Sequence, residues 1–189
     1  MNFKTYCLSL KSDIARRKWM ESIKPKIGLD FEFFDAVTPE EITEDIIDKY
    51  FKHVNFYEWD INQKAVMATF MSHMKLLELA VEKKENILII EDDTYIIRKY
   101  DWDNIDFNSF DIFKISNRGV YCYAYFVSYN GAINFLKYLN SKDIKLAYDW
   151  ELEKCRELNI KTIDRPVFIQ TNTFPSNIAP NGYKKIKTE

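Results

Sequence analysis

The stretch that decides the fold is Ile87-Leu88-Ile89-Ile90-Glu91-Asp92-Asp93, an apolar run that passes directly into three acidic side chains. Four consecutive large apolar residues are typical of a strand buried on both faces, as in the middle of a parallel sheet. Unpaired carboxylates are too costly to desolvate in such a core, so Glu91, Asp92 and Asp93 are predicted to emerge where the strand ends. In open α/β sheets, ligands bind at this end of the strands.

Three adjacent carboxylates repel one another unless a cation joins them, and hard divalent ions such as Mg²⁺ or Mn²⁺ prefer oxygen ligands. The first hypothesis is therefore a metal site that holds a phosphorylated substrate. The alternative is a solvated acidic turn that follows a strand, because short acidic clusters recur by chance.

Length and composition indicate one globular domain. The 189 residues, 47% of them hydrophobic, suffice for a single core, so residues 1–189 are interpreted as one domain. Its polar, lysine-bearing end, residues 180–189, is expected to be flexible. A net charge of -2 provides no general attraction to nucleic acid or to an anionic membrane, so no nucleic-acid partner is expected.

The cysteines and the hydropathy pattern favour the cytoplasm. Cys7, Cys122 and Cys155 are widely spaced and odd in number, which argues against a disulfide framework. The N-terminal residues lack the pattern of a signal peptide. No apolar stretch approaches the ~18 residues that a membrane span needs.

Periodicity predicts that strands and helices alternate along the chain. Strands are predicted over residues 3–10, 31–34, 87–90, 111–116, 121–127, 160–163 and 167–170. Helices are predicted from a Ser12 cap to residue 26, from a Thr38 capping box through residue 51, and over residues 63–84, 130–139 and 147–158. This alternation indicates an α/β domain with a mostly parallel sheet.

Seven segments, in the same order, resemble glycosyltransferase family 25, which contains lipooligosaccharide galactosyltransferases and relatives of the collagen galactosyltransferases. The segments are residues 6–10 with the arginines at 16–17, residues 33–37, 72–73, 86–93, 124–132, 148–149 and 166–178. Residues 86–93 are similar to the "L-I-L-E-D-D" strand of the family, and residues 124–132 to its "A-Y-L-I-S-x-x-G-A" element. The resemblance covers nearly the whole chain.

The resemblance implies a fold and a reaction. The fold would be a single GT-A-type Rossmann-like domain, with a mostly parallel central sheet flanked by helices. The reaction would be inverting transfer of a hexose, most often galactose, from a UDP-sugar to a glycan or glycolipid acceptor, with Mn²⁺ or Mg²⁺ as cofactor. Glu91 and Asp93 would then be the metal ligands, and Asp92 would lie near the ribose.

Two residues are candidates for catalysis. Asp149 is the candidate for the base that deprotonates the acceptor hydroxyl, although an acid at a helix N-terminus is also common for helix-dipole reasons. His73 matches the serine–histidine helix of the family, which favours a site role. A hydrogen-bonded histidine at the edge of the core is the alternative.

The remaining candidates are assigned to the nucleotide sugar. They are Ser9, Leu10, Arg16, Arg17, Arg118 and Gln170. The two adjacent arginines follow the first strand, where a nucleotide diphosphate would lie near a helix start. One of them is expected to bind the nucleotide and the other to be a solvated helix residue.

One departure from the family pattern favours a second hypothesis. Residues 65–73 replace "G-E-x-G-C-A-x-S-H", so that Val66 stands at the acidic position and alanines stand at both glycine positions. A degenerate module that binds a nucleotide sugar without turnover is therefore the alternative to an enzyme. A third hypothesis is a Mg²⁺-dependent phosphotransferase or nuclease. It ranks last because this sequence has neither a P-loop lysine motif nor a basic face for nucleic acid. Peripheral membrane contact and oligomeric state are left open.

Overall fold

The computed structural model describes residues 2–51, 61–116, 121–141, 144–171, 173–176 and 178. The strands are β1 Lys4–Ser9, β2 Glu32–Asp35, β3 Ile87–Glu91, β4 Thr94–Ile96, β5 Ile112–Lys114, β6 Ala124–Val127, β7 Ile160–Thr162 and β8 Phe168–Gln170. The helices are α1 Ile14–Ile27, α2 Glu44–Ile46, α3 Gln63–Lys83, α4 Tyr129–Asn140 and α5 Tyr148–Lys154. The predicted alternation of strands and helices is confirmed.

A six-stranded sheet in the order β2-β1-β3-β6-β5-β7 forms the centre of the molecule. Within it, β6 is antiparallel to both of its neighbours, and the other pairings are parallel. The prediction of a mostly parallel α/β sheet is therefore confirmed. The register aligns Ser9 with Asp35 and Leu8 with Glu91, so the carboxyl ends of β1, β2 and β3 lie at one edge.

Alternation along the strands divides the core into two layers. Ile87 and Ile89 pack with apolar residues of α3, α4 and α5, whereas Leu88 and Ile90 pack with apolar residues of α1. Successive side chains on a strand point to opposite faces of the sheet. The same alternation decides where the acidic residues that follow this strand are directed.

Several predicted boundaries are wrong. Asp13 rather than Ser12 caps α1, because its carboxylate accepts a hydrogen bond from the Arg16 backbone N–H. The helix predicted after Thr38 is broken into a 3₁₀ turn, the short α2 and a π turn, because the buried, extended Ile42 interrupts it. α5 ends at Lys154, four residues before the predicted end at 158.

The sequence pattern missed β4, which pairs with β8 in a separate two-stranded sheet. A strand of three residues carries too little periodicity to be recognised. This pairing sets Thr94 opposite Gln170, so β8 lies beside the acidic residues that end β3. No helix in the described part of the chain combines the length and apolar character that a membrane crossing requires. The predicted flexible tail lies outside the described residues.

Gly131 lets α4 pack tightly against the strand region that precedes β5. A Cβ atom at this position would lie 2.2 Å from the backbone carbonyl oxygen of Asp111, and a backbone atom cannot move away cheaply. We expect Gly131→Ala to lower the free energy of unfolding by about 3 kcal/mol, measured by denaturant titration. Gly28→Ala is the comparison, because its left-handed φ of 71° costs only about 1 kcal/mol and no clash is involved. Equal losses in the two variants would contradict the close approach.

Candidate functional site

The acidic residues lie at the carboxyl end of β3, as predicted, but they are not solvated. Ile87 to Ile90 are fully buried, while Asp92 and Asp93 keep only 7% and 9% exposure. Alternation turns Glu91 toward α3, and Asp92 faces α1. The description of this segment as a solvated acidic turn is therefore wrong, because neighbouring elements cover it.

Arg16 of α1 is the main counter-charge of the acidic pair. Its Nη1 lies 2.6 Å from Asp92 Oδ1 and 3.6 Å from Asp93 Oδ2, and its Nη2 donates to the carbonyl oxygen of Pro175 at 2.7 Å. The side chain is buried, so these ion pairs are little screened by solvent. Arg16 therefore links the acidic pair to the segment that follows β8.

Arg17 holds the loop between β1 and α1. Its guanidinium donates to the carbonyl oxygens of Ser9 and Leu10 at 2.9 and 3.1 Å, and it pairs with Asp35 at 2.5 Å. The expectation that one of the two adjacent arginines is freely solvated is wrong, because both side chains are bound to protein groups. The backbone of Ser9 and Leu10 contributes the acceptors for this arrangement.

Asp93 has a buried carboxylate oxygen that is available to a cation. Its Oδ2 accepts from the Gln170 amide at 3.0 Å, and its backbone oxygen accepts from Thr171 N–H. Its Oδ1 is buried and has no hydrogen-bond partner among the described residues. An orphaned buried carboxylate oxygen is costly, and a hard divalent ion would satisfy it.

The described ranges contain no group of three His, Cys, Asp or Glu residues placed to hold a metal ion by themselves. This arrangement agrees with the coordination habit of Mg²⁺, which binds one or two carboxylates and completes its shell with substrate phosphates and water. An ion held by Asp93 would therefore need further ligands beyond these side chains.

Burial raises the pKa values of the carboxyl groups in this site. The pKa of Glu91 rises to about 8 because of burial and the nearby charges of Asp92 and Asp149. Burial and the charge of Glu91 raise the pKa of Asp93 to about 6. Burial also raises the pKa of Asp92, although Arg16 opposes the shift. The site thus carries an excess of carboxyl groups that a bound cation would stabilise in their charged form.

Glu91, His73, Tyr125 and Tyr148 form a hydrogen-bonded series that we call the buried polar chain. His73 Nε2 lies 3.2 Å from Glu91 Oε1, and His73 Nδ1 lies 2.8 Å from the Tyr125 hydroxyl. The Tyr125 hydroxyl donates to the Tyr148 hydroxyl at 3.0 Å. Burial lowers the pKa of His73 to about 4, so the imidazole is neutral at pH 7. His73 is thus a core histidine in direct contact with the acidic site.

Asp149 lies in the first turn of α5, where its carboxylate accepts from the Trp150 backbone N–H at 3.0 Å. It is partly exposed, and Trp150 beside it is 50% exposed. The charge of Asp149 acts on both Glu91 and His73. Burial raises the pKa of Asp149, against the opposing effects of the Trp150 N–H and His73. Asp149 is therefore a partly exposed carboxylate whose charge reaches the acidic site.

Comparison with known proteins decides the family. The model of glycosyltransferase family 25, described as an LPS biosynthesis protein family, matches residues 2–102. The chain belongs to glycosyltransferase family 25. The match includes β1, both adjacent arginines and the acidic end of β3, whereas α5 with Asp149 lies beyond it. The resemblance inferred from the sequence is thus confirmed.

Two relatives place this family 25 chain among known proteins. A Haemophilus influenzae protein that carries the name of a glycosyltransferase is 35% identical over 97 residues, which are 48% of this chain and 32% of that protein. The chain therefore spans about a third of the length of this relative. The crystal structure of a glycosyltransferase involved in the glycosylation of the major capsid of PBCV-1 superimposes with a TM-score of 0.52. That likeness covers 90% of this chain and 95% of the other at 15% identity, and it supports the GT-A-type fold.

Three further side chains make contacts near these candidates that the sequence pattern did not predict. Tyr125 and Tyr148 contact His73, and the fully buried Lys114 of β5 pairs with Glu153 of α5. Arg118, predicted to bind the nucleotide, lies outside the described residues.

Arg16 provides a test of the acidic pair by stability alone. Arg16→Lys keeps the charge but loses the planar guanidinium, whose two nitrogens donate to Asp92 and to the Pro175 carbonyl oxygen. We therefore expect a loss of about 2 kcal/mol in unfolding free energy. Arg98→Lys is the matched control, because exposed Arg98 also donates to two carbonyl oxygens and should lose less than about 1 kcal/mol. Denaturant titration measures both, and equal losses would show that burial of Arg16 adds nothing.

Proposed function

We propose that this family 25 chain is a metal-dependent, inverting glycosyltransferase that moves a hexose, galactose, from a UDP-sugar to a glycan or glycolipid acceptor. The observation that supports it most is the buried Oδ1 of Asp93 at the carboxyl end of β3, for which the described residues provide no hydrogen-bond partner. We further propose that residues 1–189 act as one transferase domain. The three cysteines are free and buried, which suits a reducing compartment, and we propose the cytoplasm.

Asp93 is the proposed principal ligand of Mn²⁺ or Mg²⁺, and Gln170 orients it through the hydrogen bond to Oδ2. When bound, the ion neutralises the charge that grows on the diphosphate as the glycosidic bond breaks. Glu91 was predicted as a second ligand, and its Oε1 is directed to His73, so we assign it a supporting role. Asp92, held by Arg16, is the proposed contact to the ribose of the donor.

Arg16 is the proposed contact to the donor phosphates. Its Nη1 contacts both Asp92 and Asp93, so this guanidinium would be the nearby cation for a diphosphate held at Asp93. Arg17 is assigned to the backbone of Ser9 and Leu10, where it holds the loop against which the nucleotide would rest. The two arginines thus divide into a ligand contact and a loop support.

Asp149 is the proposed base. The acceptor hydroxyl oxygen forms the new bond to the anomeric carbon, while the bond from that carbon to the UDP oxygen breaks and its electron pair leaves with UDP. The proton of the hydroxyl passes to the Asp149 carboxylate. Attack on the face opposite the leaving group inverts the anomeric configuration. Trp150, half exposed beside the base, offers an aromatic face to the acceptor sugar ring.

A binding module without turnover is the second candidate, and one observation favours it. Val66 stands where the family carries an acid, and it is buried in the apolar layer between α3 and the sheet. If the family's acid takes part in the reaction, this chain replaces it with core packing. Such a protein would bind a nucleotide sugar and a metal but would not transfer the sugar.

Calorimetric titration of UDP into the purified protein, with and without Mn²⁺, tests the donor site. We expect binding that requires the metal, followed by release of hexose from UDP-galactose in a hydrolysis assay. Metal-dependent binding without hydrolysis or transfer would favour the binding module. Absence of binding with the metal present would refute the donor site.

A further inference from the structure

The buried polar chain has a direction that its geometry defines. The Tyr125 hydroxyl donates its hydrogen to Tyr148, so the lone pair of Tyr125 faces His73 Nδ1 at 2.8 Å. Nδ1 therefore carries the ring hydrogen and donates to Tyr125. His73 Nε2, on the other side of the ring, lies 3.2 Å from Glu91 Oε1, which completes the series.

Burying the polar groups of these side chains costs desolvation free energy that packing alone does not require. His73, Tyr125 and Tyr148 have exposures of 1%, 0% and 4%. Apolar side chains of similar size would fill the same space without polar atoms to satisfy. A fully satisfied polar network instead fixes one arrangement of its members. The Tyr148 ring adds to this by stacking on the His73 ring, with a centroid distance of 4.3 Å and an interplanar angle of 15°.

The two ends of the buried polar chain meet the two halves of the proposed reaction. Glu91 immediately precedes the Asp92–Asp93 pair at the donor end. Tyr148 is the first residue of α5 and immediately precedes Asp149, the proposed base. Four side chains from α3, β3, β6 and α5 thus join the donor end to the acceptor end through continuous hydrogen bonds.

We propose that Tyr125 and Tyr148 are positioning residues of the transferase site, which act through His73. They hold the Glu91 carboxyl group at the donor end and the first turn of α5 at the acceptor end in one fixed relation. This inference rests on the function proposed above and deepens it, since neither tyrosine contacts a substrate in that proposal. Loss of either hydroxyl should loosen the geometry of the reaction while leaving the rings in the core.

The hydrogen-bond direction can be read from the ring nitrogens of His73. The chain has 2 histidines, so a His53→Gln background leaves one imidazole to observe by nitrogen-15 NMR. We expect a single Nδ1–H tautomer in that background. Tyr148→Phe should turn the Tyr125 hydrogen toward Nδ1 and shift His73 to the Nε2–H tautomer. Tyr125→Phe should yield a mixture of the two. Tyr6 of β1 is also buried but lies outside the buried polar chain, so Tyr6→Phe should leave the His73 tautomer unchanged.

Kinetics then distinguish positioning from a structural role. We expect Tyr125→Phe and Tyr148→Phe to lower kcat for transfer at least about 10-fold, because small misplacements of reacting groups cost rate steeply. Metal-dependent UDP affinity should stay within about 3-fold, since a change below ~0.7 kcal/mol is expected where no donor contact is lost. Thermal unfolding of each variant would check that the fold persists, with Tyr6→Phe as the reference.

The outcomes separate the two proposals. The tautomer changes together with reduced kcat and retained UDP binding would support positioning. An unchanged tautomer, or unchanged kcat in folded variants, would overturn it while leaving the donor site intact. A wild-type protein that binds no UDP with Mn²⁺ would overturn the proposed function and the positioning role together.

Discussion

Asp93→Asn is expected to abolish the metal-dependent part of UDP binding and to lower hexose transfer by at least about 10³-fold, which corresponds to the several kcal/mol that a bound ion contributes to charge stabilisation. The physical reason is the buried Oδ1, which has no hydrogen-bond partner in the described part of the chain and is our proposed metal-binding atom. An amide has no negative charge to offer a hard cation. Calorimetry with Mn²⁺ and UDP measures the first effect, and a transfer assay measures the second.

Stability provides an internal check on the same variant. Asp93 buries a carboxylate oxygen that no described residue bonds, so the metal-free Asp93→Asn protein should unfold at no lower a temperature than the wild type. Asp103→Asn, at an exposed aspartate in the loop after β4, is the control and should alter neither binding nor transfer. Retained metal-dependent binding in Asp93→Asn would assign the metal to another residue.

Asp149→Asn is expected to reduce kcat by about 10²- to 10⁴-fold, the usual contribution of a positioned base, while UDP affinity is retained. The residue suits this part because its carboxylate is partly exposed in the first turn of α5 and acts electrostatically on Glu91 and His73. An amide keeps the hydrogen bond from the Trp150 N–H, so the helix start should persist.

Initial rates at saturating donor, together with a calorimetric Kd for UDP, separate the base from a donor contact. A loss confined to kcat supports the base. A parallel loss of UDP affinity would mean that Asp149 serves the donor instead. Full activity would leave Asp149 as an ordinary acid at a helix N-terminus, stabilised by the helix dipole.

Local patterns were sufficient for much of the fold. β3 was recognised because four apolar residues in a row suit a strand with both faces buried, and α3 because its apolar residues recur with helical period. The predictions were wrong where a tertiary contact overrides a local preference. Ile42 enters the core in an extended conformation and interrupts a helix whose capping box is otherwise well formed.

The candidate site was predictable only in part. The sequence predicted the acidic end of β3, since polar residues that follow a buried strand must leave the core together. The sequence did not predict that Asp92 and Asp93 are buried, because the groups that cover them come from α1 and from the segment after β8. The sequence also could not distinguish the parts of the adjacent arginines. Arg16 bonds Asp92 and Arg17 bonds the backbone of the loop after β1, partners that lie in different parts of the sequence.

By itself, the sequence determined the class of fold, the family and the acidic strand end, because each depends on neighbours along the chain. Only the tertiary structure decided the partners. Arg16 and Asp92 are 76 residues apart, Asp93 and Gln170 are 77 apart, and His73 and Tyr125 are 52 apart. Strand order and the alternation of side chains across the sheet bring these pairs together, and no local pattern records which distant strand becomes a neighbour.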